Sequence, residues 1–205
     1  MTQPLRVSPQ RSAVVTMEMQ RGVIGDVSSI PDLANAVAAE DVIPNTAKLL
    51  DAARAVGVSV VHCLAGFRGD RAGTPLNAPL VRSMLRDPNH LLIGSPAVEL
   101  VPELGPEPSD LTSLRMHGVS PFGGTDLDGL LRNMQVHTLV VAGVSVNLGI
   151  PGLAIEAVNL GYEVVIARDA ITGVGSEYVE DMLANTLRLI ARITTVDELV
   201  AAWSG

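Results

Sequence analysis

The chain has 205 residues, of which 47% are hydrophobic and 18% are charged, and this composition excludes an intrinsically disordered protein. The length predicts one globular domain that spans residues 1–205. The net charge of −8 and the aromatic fraction of 2% exclude a nucleic-acid partner, because phosphates need a basic face and single strands need stacking rings.

Apolar runs and helical patterns alternate along the chain. The apolar runs predict strands at residues 12–18, 58–63, 111–115, 138–143, 163–167 and 193–196. Helical spacing of apolar residues predicts helices at 45–56, 126–133, 151–160, 177–191 and 197–203. Because the strands are apolar throughout and are separated by helices, we predict a three-layer α/β/α fold around a parallel sheet.

Residues 64–108 form the irregular part of the sequence. Glycine and proline recur throughout this segment, and its predicted regular structure is sparse. Long irregular segments inside compact domains are usually lids or binding loops. We therefore interpret residues 64–108 as a lid or as an interface between copies of the chain, and an ordinary surface excursion is the alternative.

Residues 138–155 are the most membrane-like stretch, because they carry no formal charge. The stretch contains Gly143, Asn147 and Pro151, so a buried strand, turn and helix describe it better than a membrane span. The first ten residues lack the apolar core of a secretory leader, and we expect a cytoplasmic protein. Cys63 is the single cysteine, which excludes an internal disulfide and a cysteine-based zinc cluster.

Ligands of open parallel sheets bind outside the carboxyl ends of the strands. The predicted strands bring acids, permanent cations, two imidazoles and a glycine-containing turn to that edge. In chain order these residues are Glu18, Met19, Gln20, His62, Cys63, Arg115, His117, residues 143–147, Gly149, Arg168 and Asp169. We therefore predict that a functional site lies at this edge.

Three segments of the sequence resemble the isochorismatase-like superfamily of hydrolases, which includes nicotinamidases, N-carbamoylsarcosine amidases and isochorismatases. They are AVVTMEMQRG, HGVSPFGGTDLDGLLR and HTLVVAGVSVNLGIPGLAIEAVNLGYEVVIARDAITG. The resemblance runs from residue 12 to about residue 195. It implies a six-stranded parallel sheet with the order 3-2-1-4-5-6, and homodimers or higher homo-oligomers.

The resemblance also implies a catalytic triad of aspartate, lysine and cysteine. These positions fall on Glu18, Arg115 and Gly149, so we expect a degenerate triad without the nucleophilic cysteine. Gly149 has no nucleophilic side chain, so an acyl-enzyme intermediate cannot form at this position. Glu18 retains an acid, and Arg115 retains a positive charge that can pair with it but cannot relay protons. A purely structural ion pair is the alternative interpretation of Glu18 and Arg115.

Further residues are expected to contact the substrate: Gln20, His62, His117, Phe122 and Ser145. A hydrogen-bonded framework role is the alternative for either histidine. The resemblance implies a cis peptide bond before Ser145, which turns the following N–H groups toward a substrate oxygen. The metal ligands that it implies for nicotinamidases are missing from HCLAGFRGDRAG, and we expect neither a metal nor a cofactor.

The function that we favour is hydrolysis of a small, anionic molecule by non-covalent acid–base chemistry of Glu18 and Arg115. This would make the chain an isochorismatase-like hydrolase and not a cysteine amidase. The alternative is a non-catalytic member that binds a small molecule or serves as a structural partner, and a third hypothesis makes Cys63 the nucleophile. The expected partners are a small-molecule substrate and further copies of the chain, without nucleic acid or membrane.

Overall fold

One parallel sheet organises the molecule. The computed structural model describes residues 7–204, and its strands are β1 (Ser12–Met17), β2 (Ser59–Ala65), β3 (Leu111–Arg115), β4 (Thr138–Val144), β5 (Glu163–Thr172) and β6 (Arg192–Thr194). Their order across the sheet is β3-β2-β1-β4-β5-β6. All neighbouring pairs run parallel. The predicted six-stranded parallel sheet and its order are therefore confirmed.

Helices connect the strands and cover the sheet. They are α1 (Arg21–Ile24), α2 (Pro31–Ala39), α3 (Val42–Ala55), α4 (Pro79–Met84), α5 (Leu127–Asn133), α6 (Gly149–Asn159), α7 (Ser176–Asn185) and α8 (Val196–Ser204). The sequence pattern did not predict α1, α2 or α4. Helix α2 buries two residues, Leu33 and Val37, and α4 buries Val81 alone, so neither carries a strong apolar period.

Both faces of the sheet are buried against helices. β1 is buried along its whole length, and consecutive side chains of a strand point to opposite faces. Val14 belongs to a buried cluster that α2, α3 and α8 complete, whereas Val15 belongs to a second cluster that α5, α6 and α7 complete. This division confirms the three-layer α/β/α architecture.

β2 extends beyond its predicted end. The sequence pattern ends the strand at Cys63, but the structure continues it to Ala65. Ala65 pairs in register with Arg115, the last residue of β3. The carboxyl end of β2 is therefore formed by Ala65, while His62 lies inside the strand.

β5 is also longer than predicted and runs through residues 168–172 after a shift in its register against β4. Arg168 and Asp169 consequently lie within the strand and not at its carboxyl end. Arg168 pairs with Glu180 at 2.8 Å on the surface. The Asp169 carboxylate accepts a hydrogen bond from the N–H of Val196 at 2.9 Å, which ties β5 to the start of α8.

The uncharged stretch 138–155 forms β4, a turn and the first two-thirds of α6, as predicted. Across residues 7–204, no helix combines the length and the apolar character that crossing a bilayer requires.

Candidate active site

A cavity of about 370 Å³ lies at the carboxyl edge of the sheet. Its lining includes Ala65 and Arg115, which end β2 and β3, and Glu18 and Ser145, which directly follow β1 and β4. Ligand cavities in proteins range from roughly 300 to 1,000 Å³, so this one suits a small molecule. The cavity is located where ligands of open parallel sheets bind.

Glu18 and Arg115 form an ion pair in the wall of this cavity. They follow β1 and end β3, and Arg115 Nη2 donates a hydrogen bond to Glu18 Oε1 although the residues are 97 positions apart. The side chains are 11% exposed for Arg115 and 18% exposed for Glu18. Arg115 Nε is buried and has no hydrogen-bond partner among residues 7–204. The prediction that these two groups meet is confirmed, and the guanidinium keeps a donor unused.

The backbone of Glu18 lies in the left-handed region, with φ of 53°. This region costs a residue with a side chain about 1–3 kcal/mol, and such residues cluster at functional sites. The N–H of Glu18 donates to the Cys63 carbonyl at 2.9 Å, so the chain leaves β1 while it is still bonded to β2. This sharp departure places the carboxylate at the sheet edge.

The turn between β4 and α6 forms the adjacent part of the wall. The peptide bond between Val144 and Ser145 is cis, as expected. Ser145 and Gly149 both line the cavity. The Ser145 carbonyl accepts a hydrogen bond from the N–H of Ile150 at 3.0 Å, which closes the turn onto the first residues of α6. The structure thus brings Glu18, Arg115, Ser145 and Gly149 together.

Asn147 also lines the cavity, and the sequence analysis did not assign it a role. Its Nδ2 donates to the Val174 carbonyl at 2.9 Å, and its Oδ1 accepts from the Val174 N–H at 2.8 Å. These paired bonds join the turn before α6 to the segment after β5. The amide therefore serves as a brace for the cavity wall.

Gln20 does not line the cavity, which corrects its expected contact with substrate. The side chain is fully buried. Its Nε2 donates to the carbonyls of Ala65 at 2.8 Å and Val98 at 3.2 Å, and its Oε1 accepts from the Ala65 N–H at 2.8 Å. Gln20 therefore clamps the end of β2 and part of the irregular segment to the chain after β1.

His62 is likewise removed from the cavity, because it lies inside β2 and is fully buried. Its Nδ1 is 2.7 Å from Thr16 Oγ1, and its Nε2 is 3.3 Å from Asp110 Oδ2. Arg54 Nη2 donates to the same Asp110 oxygen at 2.7 Å. Burial lowers the pKa of His62, against the opposing effect of Asp110. The expected substrate contact is thus replaced by a buried framework role.

His117 and Phe122 are also absent from the cavity lining, in contrast to the expectation. The His117 ring occupies the space beside Gly124, where an added Cβ would lie 2.7 Å from His117 Cε1. Phe122 is buried and stacks on Tyr162 with 6.0 Å between the ring centres. The loop after β3 instead turns Gly118 and Val119 toward the cavity.

Cys63 is buried inside β2 and is not among the lining residues. Burial raises the pKa of the Cys63 thiol to about 12. The reactive form of cysteine is the thiolate, which is scarce at neutral pH for such a group. This placement counts against the hypothesis that Cys63 is a nucleophile.

Most of the cavity lining is apolar, and this surface was not predicted from the sequence. Its members come from residues 23–33 and from the irregular segment 64–108: Val23, Ile30, Leu33, Phe67, Leu80, Val81, Met84 and Leu91. Three of them, Leu80, Val81 and Met84, belong to the short helix α4. Apolar residues within a glycine- and proline-rich segment were the available signal, but they do not reveal which surface they cover.

Metal-ligating side chains are dispersed in the described part of the chain. Over residues 7–204, no group of three or more His, Cys, Asp or Glu side chains lies close enough together to hold a metal ion. Among the described residues, the charged side chains that line the cavity are Glu18 and Arg115.

Comparison with known proteins gives a consistent assignment. A family model described as the isochorismatase domain matches residues 12–198. The isochorismatase family protein YecD of Escherichia coli O157:H7 is 28% identical over 209 residues, covering 97% of this chain and 99% of YecD. The ureidoacrylate amidohydrolase RutB of Rhizobium rhizogenes is 28% identical over 216 residues, covering 98% of this chain and 87% of RutB.

Solved structures share the whole architecture. A cysteine hydrolase from Pseudomonas syringae pv. phaseolicola superposes with a TM-score of 0.81 at 25% identity, covering 100% of this chain and 99% of the other. An isochorismatase family protein from Desulfovibrio vulgaris has the same fold, with a TM-score of 0.82 at 24% identity and coverage of 95% and 99%.

Proposed function

Because the chain belongs to the isochorismatase-like hydrolase family, we propose that it hydrolyses a small, anionic molecule by non-covalent acid–base chemistry. The observation that carries this proposal is the Glu18–Arg115 ion pair in the wall of the cavity. A carboxylate beside a permanent cation can move a proton and hold an anion at one place. Glu18 and Arg115 are therefore the proposed catalytic residues.

A covalent route has little support in this cavity. Gly149 begins α6 at the cavity wall and offers no nucleophile. Cys63 is buried in the sheet, with a pKa raised to about 12. A thiol enzyme needs an accessible sulfur whose pKa is lowered, which is the opposite of this environment. Water is thus the proposed nucleophile.

In the proposed reaction, Glu18 takes a proton from a water molecule as the hydroxyl adds to the electrophilic carbon of the substrate. The scissile bond then breaks, and the proton passes from Glu18 to the leaving group. The sum of these steps is substrate plus water giving two products. Arg115 orients the carboxylate through Nη2 and binds the anionic group of the substrate through donors that Glu18 does not use. Ser145 contacts the substrate oxygen, whereas the N–H groups of Val146 and Leu148 in its turn already donate to the Thr172 and Ser145 carbonyls.

The irregular segment supports this function as the cover of the cavity. Five of the lining side chains come from residues 67–91 of the segment: Phe67, Leu80, Val81, Met84 and Leu91. Excluding water around a reacting group strengthens the electrostatic interactions there. We therefore favour the lid interpretation of residues 64–108 over an interface between copies.

The proposal is tested with a panel of ureidoacrylate, isochorismate, nicotinamide and other small carboxylates and amides, followed by product analysis. We expect turnover of an anionic member, no turnover of nicotinamide, and loss of turnover by at least 100-fold in both Glu18→Gln and Arg115→Met. Cys63→Ala should retain activity. Glu180→Gln is the matched control, because Glu180 forms an exposed ion pair with Arg168. Turnover that survives Glu18→Gln or disappears with Cys63→Ala contradicts the proposal.

A second candidate, binding without catalysis, is favoured by the absence of a side chain at Gly149 in a well-formed cavity. The same panel separates the two, because a ligand that binds the native state raises the melting temperature whether or not it reacts. Stabilisation by an anionic compound without product, at enzyme concentrations comparable to the compound, would establish the binding role.

A further inference from the structure

The cavity lining has two chemical parts: a few polar groups, here called the polar end, and a larger set of apolar side chains, here called the apolar compartment. The polar end holds the Glu18–Arg115 pair and Ser145. The apolar compartment is lined by Val23, Ile30, Leu33, Phe67, Leu80 and Met84, among others. Because the two parts of the lining differ in chemistry, each favours a different chemical group of the ligand.

The polar end has capacity for one compact group. The Asn147 amide is occupied on both sides by Val174. Glu18 and Arg115 are, within residues 7–204, the charged residues of the lining, and they already pair with each other. The hydrogen bond to Glu18 uses Arg115 Nη2, whereas the guanidinium carries five N–H donors and lines the cavity. A single small anion with acceptor oxygens matches the remaining donors on the Nη atoms.

The apolar compartment cannot solvate further polar groups. Transferring a hydroxyl or amide from water to an apolar surface without a hydrogen bond is unfavourable, and transferring a charge is more so. A polyhydroxylated ligand, or one with a second carboxylate on its far side, would bury those groups against aliphatic side chains. The compartment therefore selects a hydrocarbon body.

The volume limits the length of that body. A cavity of about 370 Å³ has room for about a dozen water-sized atoms, since each occupies about 30 Å³ in the liquid. A carboxylate takes three of these positions. An apolar body of roughly six to nine carbon atoms fills the remainder.

We propose that the substrates of this protein are amphiphilic monoanions, in which one carboxylate-like group binds Arg115 and an apolar body of roughly six to nine carbons fills the compartment around α4. This inference rests on the proposed function for the identity of the site and specifies the class of molecule that the site accepts. It also assigns Leu80 and Met84 as specificity-determining residues, because they belong to the apolar lining and to α4, whereas the charged pair belongs to the strand ends.

The test measures binding of non-hydrolysable probes by isothermal titration calorimetry at fixed pH and salt. Cyclohexanecarboxylate should bind at least tenfold more tightly than quinate, which has the same carbon skeleton with four added hydroxyl groups, and tenfold more tightly than cyclohexanecarboxamide. Octanoate should bind at least tenfold more tightly than octanedioate. From butanoate to octanoate, the affinity should rise roughly fourfold per methylene, the value for burial of one methylene group.

Two variants and one control test which residues bind the apolar body of the ligand and which bind its carboxylate. Leu80→Gln should flatten the chain-length dependence, whereas Leu76→Gln should not, since Leu76 is an exposed residue of the same segment outside the cavity lining. Arg115→Gln should weaken all carboxylates by a similar factor and keep the dependence on chain length. Equal binding of quinate and cyclohexanecarboxylate, no gain with chain length, or no binding of any monocarboxylate overturns the inference.

These measurements do not depend on turnover, so the two proposals fail separately. If the protein binds apolar monocarboxylates tightly but hydrolyses none of the panel, the proposed hydrolysis is wrong and the proposed ligand class stands. If turnover is restricted to polyhydroxylated or dianionic substrates, the proposed ligand class is wrong and the proposed hydrolysis stands.

Discussion

Met17 fills the space that a side chain at position 149 would need. A Cβ atom on Gly149 would lie 3.0 Å from Met17 Cε and 3.3 Å from Met17 Cγ, and 3.1 Å from the Val144 carbonyl oxygen. Met17 is fully buried at the end of β1, and Gly149 is the first residue of α6. The wall of the cavity is thus built around a glycine at this point.

Gly149→Ala should destabilise the protein by about 1–2 kcal/mol, because the added methyl group must displace packed atoms. The flexibility of methionine keeps the cost near the lower part of the usual range. Urea unfolding measures the change. Gly129→Ala in α5 is the matched control, since a Cβ there meets nothing within 4 Å. That variant should be neutral or stabilised by about 0.5–1 kcal/mol, and equal losses for the two variants would refute the crowding.

A double-mutant cycle should show that Glu18 and Arg115 stabilise each other. Glu18→Gln and Arg115→Met each leave a mostly buried partner uncompensated, and the double variant removes both. We expect the coupling free energy to be about 1–3 kcal/mol in urea unfolding experiments. The exposed Arg168–Glu180 pair is the comparison, and its coupling should not exceed about 0.5 kcal/mol. Additive effects at Glu18 and Arg115 would contradict the ion pair.

Acidification from pH 7.5 to 5 should destabilise the protein through His62. Burial lowers the pKa of His62 below 6.5, so in this range the unfolded chain binds a proton that the folded chain does not. The contribution of His62 to the free energy of unfolding is therefore fully present above pH 6.5. It decreases as the pH falls toward the folded-state pKa, by at most about 1.4 kcal/mol per pH unit. His62→Gln should reduce this slope in urea unfolding series. Asp110 has a pKa below 3.8, because hydrogen bonds from Arg54 and His62 outweigh its burial, and it titrates outside this range. An unchanged slope in His62→Gln would rule out this role.

Alkaline conditions should destabilise the protein through Cys63. Its pKa is raised from 9.0 to about 12 in the folded chain, so the unfolded chain releases its proton first as the pH rises. Stability is complete below pH 9 and decreases above it, by about 2 kcal/mol at pH 10.5. Between pH 8 and 10.5, the free energy of unfolding of Cys63→Ala should therefore fall by about 2 kcal/mol less than that of the unmodified protein. In native protein at pH 8, iodoacetamide should label Cys63 slowly, and rapid labelling would show an accessible thiolate.

The sheet could be predicted from the sequence because its strands are buried on both faces. In β1 and β4, every residue is buried, so a mainly apolar run identifies the strand without ambiguity about its orientation. The Glu18–Arg115 pair could be predicted because the resemblance places both residues at strand ends, and parallel strands end at one edge. β3 itself, LTSLR, is not an apolar run, since Ser113 is its one buried residue.

The other expected substrate contacts depended on details that a single sequence does not contain. From the sequence alone, His62 could lie at the end of β2 or in its interior. The pairing of β2 with β3 continues as far as Ala65, and this places His62 in the interior of the strand. Gln20 follows Glu18 by two positions, but the left-handed turn at Glu18 sends its amide into the interior. The apolar compartment was beyond prediction because α4 is too short to show a helical period.

Helix α4 stands apart from the sheet that carries Glu18 and Arg115, yet its side chains cover much of the cavity. Leu80 is 46% exposed, so it can be exchanged at little cost to folding. Substitutions in α4 can therefore alter which molecules are accepted while the acid–base pair stays in place. Such a separation makes the protein evolvable: descendants can acquire new substrates by drift in one surface helix, and a library randomised at Leu80 and Met84 would sample that diversification in the laboratory.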